Sequence, residues 1–348
     1  MIRVIFVRRP LILSIPSTIR AYRFMSLNPQ KITLEQQQQH ANGIFPLVYA
    51  APTTGSAKTI KDWIEKHTDQ LADELEIHGA ILFRDFGVTD DLGFDSFIRA
   101  FHQPSFTYAD SLSNAVRRNR TELVFTANEA PPEVSIFLHH EMAQTPIFPS
   151  KLFFYCEQAA QVGGTTPICR SDTLLEQLKS AVPDFVAACQ DKGVCYSQTM
   201  PPEDDMQSGQ GRSWRSTLSA GSQTEAEIKL KKLNYQWQWL TNDSLRVTTP
   251  VLPAVKQLAD GRSVFFNQLI AAFRGWQDAR NSAEKSISFG DGSVINSADM
   301  AVAIYLADKL TFDIPWQAGD VVLLDNFSTM HGRRPFQGRR TVLASLVA

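Results

Sequence analysis

The spread of its strand signals constrains this chain most. Apolar or aromatic runs of strand length recur at "AILFRDF" (80–86), "ELVFTA" (122–127), "SKLFFYCEQ" (150–158), "LRVTTPVLPAV" (245–255), "SVFFNQL" (263–269), "DVVLLDNF" (320–327) and "RRTVLASLV" (339–347). A polar excursion from about 173 to 245 separates them, with helical candidates "DTLLEQLKSAVPDFVAAC" and "TEAEIKLKKL". Neither a regular strand–helix alternation nor a phosphate-cradling glycine pattern accompanies them. Their order therefore favours an antiparallel jelly roll over a nucleotide-binding sheet.

The predicted fold class is α+β, a double-stranded β-helix core with flanking helices and a helical insert. At its start "TIKDWIEKHTDQLADELEIHG" reads as a helix carrying Ile60, Trp63, Ile64, Leu71 and Leu75 on one side. The buried strand "AILFRDF" follows, then a second amphipathic helix in "LGFDSFIRAFH". One domain is expected over residues 41–348, behind a linker at 26–40. With 348 residues, 43% of them hydrophobic, the chain can bury a substantial core.

Residues 1–25 have the composition of an organellar transit peptide, most simply a mitochondrial one: arginines, hydroxyl residues and no acid. Met25 offers an alternative start that omits this leader and leaves a cytoplasmic protein. The apolar runs in the leader fall far short of the ~20 residues that a membrane helix needs. Net charge is −2, and six cations with no acid stand in the first 34 residues, so the remainder is mildly acidic. Such a body is not expected to bind nucleic acid or a membrane surface. Four cysteines without a C-x-x-C pair point to reduced, buried thiols rather than a zinc knuckle or a redox dithiol.

The chemistry concentrates in "FLHHEMAQ" (137–144). Alternate residues of an extended strand share a face, so His139 and Glu141 are expected to point together while His140 points away. A third ligand must come from elsewhere. His331 is the sole histidine downstream, and the apolar run "VVLLDNFSTM" delivers it as a buried strand would. Two histidines and one carboxylate, with the other positions open, form the ligand set of non-haem Fe(II) oxygenases. A zinc hydrolase can use the same three groups to activate water, and a non-catalytic jelly-roll binding protein would need none of them.

Two further features favour the oxygenase. "GRRPFQGRRTVL" places Arg339 and Arg340 at the entry to the last strand, and a guanidinium matches the far carboxylate of 2-oxoglutarate with two parallel hydrogen bonds. Strand parity admits only one of the two to the interior. "GGTTPICRS" adds a hydroxyl at Thr166, just after a glycine turn, that can reach the same carboxylate.

From "HGAILFRDFGV" through "VFTANEAPP", "FLHHEMAQTPIFPSKLFFYCE", "VGGTTPI", "GRSWRSTL", "FFNQL", "GWQDARN" and "ISFGDGS" to "GDVVLLDNFSTMHGRRPF" and "RRTVLASL", the chain resembles the taurine dioxygenase and clavaminate synthase-like Fe(II)/2-oxoglutarate oxygenases. Its H-H-E-M-A segment is closest to the plant-type clavaminate synthase-like branch, with glutamate where many relatives carry aspartate. The resemblance implies iron ligands His139, Glu141 and His331, cosubstrate contacts from Thr166 and from Arg340 ahead of Arg339, and Fe(II), 2-oxoglutarate and O2 as reaction partners. It implies a small-molecule substrate, of which an amino-acid-like acid is one candidate, and hydroxylation with release of succinate and CO2. Halogenation is disfavoured because Glu141 fills the position that a halide would need. One departure stands out: the second arginine that many relatives carry four residues after the cosubstrate arginine is here Ala344. Phe137, Met142, Lys151, Trp214, Arg215, Asn267 and Arg274 could line a pocket, but a core or surface role is the stronger reading of each, so none is assigned to the substrate.

Overall fold

The long strands of the largest sheet are apolar through their middles because both of their faces are covered there. On one face Leu82, Phe154 and Val322 share a core with Ile168, Phe312 and Ile314 of a second sheet. On the other, Ile81, Phe83, Phe153, Tyr155 and Leu323 pack with Ile60, Ile64, Leu71, Leu75, Phe94 and Phe97. Those last six belong to the helices Ala57–Lys66, Thr68–His78 and Asp91–Arg99.

The computed structural model describes residues 27–348 apart from residue 42 and residues 107–111, 114, 209–210, 277–279 and 283–285. The transit-peptide reading of residues 1–25 lies outside the described residues. The large sheet runs in the order Gln30–Lys31, Leu47–Ala50, Ala80–Arg84, Val321–Asp325, Lys151–Gln158, Thr341–Val347 and Ser105–Phe106, with Phe125–Thr126 also paired to Thr341–Val347. Its pairs are antiparallel except Leu47–Ala50 with Ala80–Arg84. The second sheet orders Thr311–Ile314, Thr166–Arg170, Thr329–Arg333 and Ile136–His139, all antiparallel. Leu138, Cys169 and Met330 on its outer face meet helices Ser171–Ala181, Pro183–Lys192, Leu269–Gly275 and Ser297–Lys309. A mostly antiparallel sheet and an antiparallel one are thus sandwiched between two helical layers.

The structure corrects several expectations. Gln30–Lys31 pairs with Leu47–Ala50 and Leu27 is buried, so the segment read as a linker already belongs to the folded body. The first helix divides at His67, whose Nδ1 turns back to the Trp63 carbonyl. The "DTLLEQLKSAVPDFVAAC" segment divides at Pro183, which has no N–H to continue a helix. "SVFFNQL" is a strand only at Ser263–Val264 before helix Leu269–Gly275 begins. The polar excursion is mixed: helices Trp214–Leu218 and Gln223–Lys232 cover Leu245–Thr248, which pairs with Gln236–Trp239 and Val194–Met200. All four cysteines are free thiols, three of them buried. Among the described residues no helix is long and apolar enough to cross a membrane.

Candidate metal centre and cosubstrate pocket

The strand pairing itself brings the two histidines together. His331 and His139 are direct partners across Thr329–Arg333 and Ile136–His139, with ring centroids 4.4 Å apart. The run "VVLLDNFSTM" is two strands joined by a turn, so His331 sits within the second strand rather than at the end of the first. Past His331 the ladder has a bulge, where a Cβ on Gly332 would stand 2.4 Å from the Ile136 carbonyl oxygen. Only glycine fits there.

Strand parity does not place Glu141. The strand ends at His139, and Met142 takes a left-handed backbone with φ 60°, so the carboxylate comes from a turn. Asn326 fixes that turn, its Oδ1 accepting from Glu141 N at 2.8 Å and its Nδ2 donating to Glu141 O at 3.0 Å. Glu141 Oε2 then lies 3.5 Å from His331 Nε2 and 4.0 Å from His139 Nε2. Among the described residues, candidate donor atoms of His139, Glu141 and His331 lie within 4.8 Å of one another.

Protonation follows from the partners. His139 Nδ1 lies 2.7 Å from the Phe137 carbonyl, which can only accept, so Nδ1 carries the proton and Nε2 faces the carboxylate with its lone pair. Burial, then the neighbouring His331, pushes His139 down to about 4, so it is neutral at physiological pH. Burial alone would raise Glu141, but the Arg117 charge together with the hydrogen bond and charge of His331 and the charge of His139 outweighs it and holds the carboxyl well below the usual range. Arg117 Nη2 lies 2.9 Å from Oε1 and 3.1 Å from Oε2 of Glu141. Among the described residues His331 Nδ1 has no hydrogen-bond partner, and its ring is steadied by Phe154 with centroids 5.2 Å apart. Neutral imidazole and ionised carboxylate are the donor set that a divalent transition metal takes.

His140 turns the other way. Its ring lies between the carbonyls of Asn326, 2.5 Å from Nδ1, and Phe265, 3.1 Å from Nε2, and it packs against Phe266. It supports the strand and does not line the cavity.

That cavity, of about 330 Å³, is lined by all three candidate ligands together with Thr166 and Arg340. Arg339 is exposed and Arg340 is turned inward, donating from Nε to the Gly164 carbonyl at 2.8 Å and from Nη2 to Thr166 Oγ1 at 3.3 Å. Gly164 has φ 70°, and a Cβ there would meet Arg340 Cδ at 3.0 Å. Trp316 Nε1 also donates to Thr166 Oγ1, at 3.0 Å. With two donors already on that oxygen, the Thr166 proton is left to point toward another acceptor. Burial, then the nearby Arg333 charge, pushes Arg340 down to about 10, and it remains cationic at neutral pH. Among the described residues no carboxylate pairs with it. A buried guanidinium in this state favours an anionic ligand.

Sequence reasoning missed three arginines. Arg117 stands in an irregular loop and carries no motif. Arg333 donates to the carbonyls of Asn128, Ala130, Pro131 and Val134, which organises the loop over one cavity wall. Arg280 pairs with Asp205 at 2.9 Å where both line the cavity. Of the seven residues left unassigned to a substrate, only Phe137 lines it.

Comparison with known proteins places this geometry. Residues 44–346 match the model of the taurine catabolism dioxygenase TauD, TfdA family. The chain belongs to this family. Membership makes it a 2-oxoglutarate-dependent dioxygenase, as the sequence resemblance implied. A clavaminate synthase-like protein of Arabidopsis thaliana is 35% identical over 320 residues, covering 90% of this chain and 96% of its own. The dapdiamide synthesis protein DdaC of Enterobacter agglomerans is 26% identical over 332 residues, covering 88% and 95%. A taurine dioxygenase structure from Burkholderia xenovorans shares the fold with a TM-score of 0.51 at 14% identity, over 92% of this chain and 89% of that one.

Proposed function

We propose that this family member binds Fe(II) through His139, Glu141 and His331, binds 2-oxoglutarate through Arg340 and Thr166, and hydroxylates an amino-acid-like small molecule with release of succinate and CO2. One observation carries the reading. The cross-strand histidines and Glu141 open onto the same cavity as an inward guanidinium that has no carboxylate partner among the described residues. When bound, the iron supplies O2 activation coupled to oxidative decarboxylation of the cosubstrate. The chain's own residues do the rest: Arg340 and Thr166 orient the far carboxylate, and the surrounding sandwich keeps bulk water from the wall behind the ligands. The double-stranded β-helix reading of the core is supported by the two facing sheets, antiparallel but for one pair.

The Arg280–Asp205 pair supports an amino-acid-like substrate, since it offers one group for an anion and one for a cation on the cavity wall. It also suits the replacement of the relatives' second arginine by Ala344, which is buried in Thr341–Val347. A zinc hydrolase would use the same ligands but gives no reason for Arg340 and Thr166 to face the cavity. Labelled 2-oxoglutarate with Fe(II) and O2 tests the choice. Slow succinate release without substrate is expected; tight zinc retention with no 2-oxoglutarate binding would sink the proposal. The acid-free leader supports delivery to mitochondria, checked by imaging a fluorescent fusion with and without residues 1–25.

A further inference from the structure

A glutamate is one methylene longer than an aspartate and has one more torsion to fix. As a metal ligand it can offer one oxygen or swing round and offer both. Here the two oxygens have different surroundings. Oε2 faces His331 Nε2 at 3.5 Å and His139 Nε2 at 4.0 Å. Oε1 meets Arg117 Nη2 at 2.9 Å, and among the described residues no other donor reaches it; the same Nη2 lies 3.1 Å from Oε2, so Arg117 bridges the carboxylate edge and it is Oε2 that also faces the imidazoles. Arg117 is itself held: its side chain is 7% exposed, and its guanidinium lies 5.2 Å from the centroid of Phe125. Phe125 belongs to a strand paired with Thr341–Val347, so the guanidinium is tied to the large sheet while Glu141 is tied to Asn326.

We propose that Arg117 is a positioning residue that keeps Glu141 a one-oxygen ligand, holding Oε1 away from the metal so that the coordination positions needed by a chelating cosubstrate stay open. The inference rests on the metal-binding reading above. It assigns Arg117 to the carboxylate rather than to the substrate, and it explains how a longer ligand is tolerated: the added torsion is fixed by a buried hydrogen bond. Without Arg117, Oε1 is free to rotate onto the metal and compete with 2-oxoglutarate.

The test uses the full chain loaded with Co(II), which is stable in air. Two quantities are read: the separation of the asymmetric and symmetric carboxylate stretches in the Co(II)-minus-apo infrared difference spectrum, and the dissociation constant for 2-oxoglutarate. A one-oxygen carboxylate gives a wide separation and a chelating one a narrow separation. Arg117→Met is expected to narrow it and to weaken 2-oxoglutarate by about tenfold while Co(II) still binds. Arg117→Lys, which keeps a charged donor, is expected to restore most of both. In a Glu141→Asp background the shorter carboxylate withdraws from Arg117, so Arg117→Met should there change neither quantity. Arg117→Gln reads the same quantities with a shorter polar side chain, so the test does not depend on the methionine variant folding. An unchanged separation in folded Arg117→Met or Arg117→Gln overturns the assignment while leaving the metal site intact. Failure of the unsubstituted chain to bind Co(II) at all overturns the metal reading, and this inference with it.

Discussion

Asn326 holds both sides of the Glu141 peptide group pair, accepting from its N–H and donating to its C=O, and its remaining amide hydrogen goes to the Pro149 carbonyl at 2.8 Å. A turn that no strand ladder supports is thereby fixed by one fully buried side chain. Asn326→Ala leaves at least two buried backbone groups unpaired and should cost roughly 2–4 kcal/mol. Urea unfolding of the metal-free protein measures this. Metal affinity should fall too, because the carboxylate loses its anchor, whereas Asn326→Asp, whose carboxylate only accepts, should keep the contact to Glu141 N–H and lose those to the Glu141 and Pro149 carbonyls.

Arg340→Ala should raise the 2-oxoglutarate concentration needed for half-saturation by roughly two orders of magnitude, as expected for removing a charge-assisted pair of hydrogen bonds. Metal binding should persist. Arg339→Ala, at an exposed position, should do neither. Titrating 2-oxoglutarate into both variants decides between them, and the reverse result would mean that the cosubstrate uses the outer arginine.

Gly164→Ala probes the same pocket from behind. The added methyl meets Arg340 Cδ at 3.0 Å and Ala160 Cβ at 2.9 Å on a backbone with φ 70°. The strain amounts to ~1 kcal/mol or more, and Arg340 must shift. Half-saturation by 2-oxoglutarate should rise by about tenfold. A variant that loses stability but keeps the parent's 2-oxoglutarate affinity would show that the glycine serves the turn alone.

Burial lowers His139 to about 4 and His140 to about 3, while an unfolded histidine titrates near 6.5. Between those values the unfolded chain binds more protons than the folded one. Stability of the metal-free protein is therefore full above about pH 6.5 and declines as pH falls, by up to ~1.4 kcal/mol per pH unit for each histidine. Burial raises Asp320 and Asp325, which act in the opposite sense, so the informative quantity is a difference. His140→Gln should flatten the slope of unfolding free energy against pH by about one proton in this window. A slope that matches the parent's would rule out His140 as a source.

Much of this site is legible in the sequence because its ligands are rare residue types. His331 has no downstream competitor, and His139 and Glu141 stand in an apolar setting that asks for compensation. Parity separated His140 from His139 and Arg340 from Arg339, since both pairs sit at strand ends. It failed for Glu141, which depends on a left-handed Met142 and on Asn326, a partner remote in sequence. Arg117, Arg280 and Arg333 were not legible for a similar reason. Arg117 and Arg280 lie in irregular loops that carry no periodicity, Arg333 ends the strand Thr329–Arg333, and only the tertiary structure shows which carboxylate or carbonyl each one meets. In the fold, the buried strands announced themselves by apolar runs covered on both faces. Gln236–Trp239, exposed and polar at alternate positions, and Val194–Met200, broken by a polar Ser-Gln-Thr run, did not.

The cross-strand pairing of His139 with His331 makes the metal centre all-or-none with respect to alignment. Side chains alternate along Thr329–Arg333, and Met330 belongs to the opposite, helix-covered face. A slip of one residue in either direction would present Met330 or Gly332 where the imidazole should stand, and neither can replace it as a ligand here. Metal captured during folding would thus reward one pairing of these strands and no other, so the catalytic ion doubles as a proofreader of the sheet that holds it.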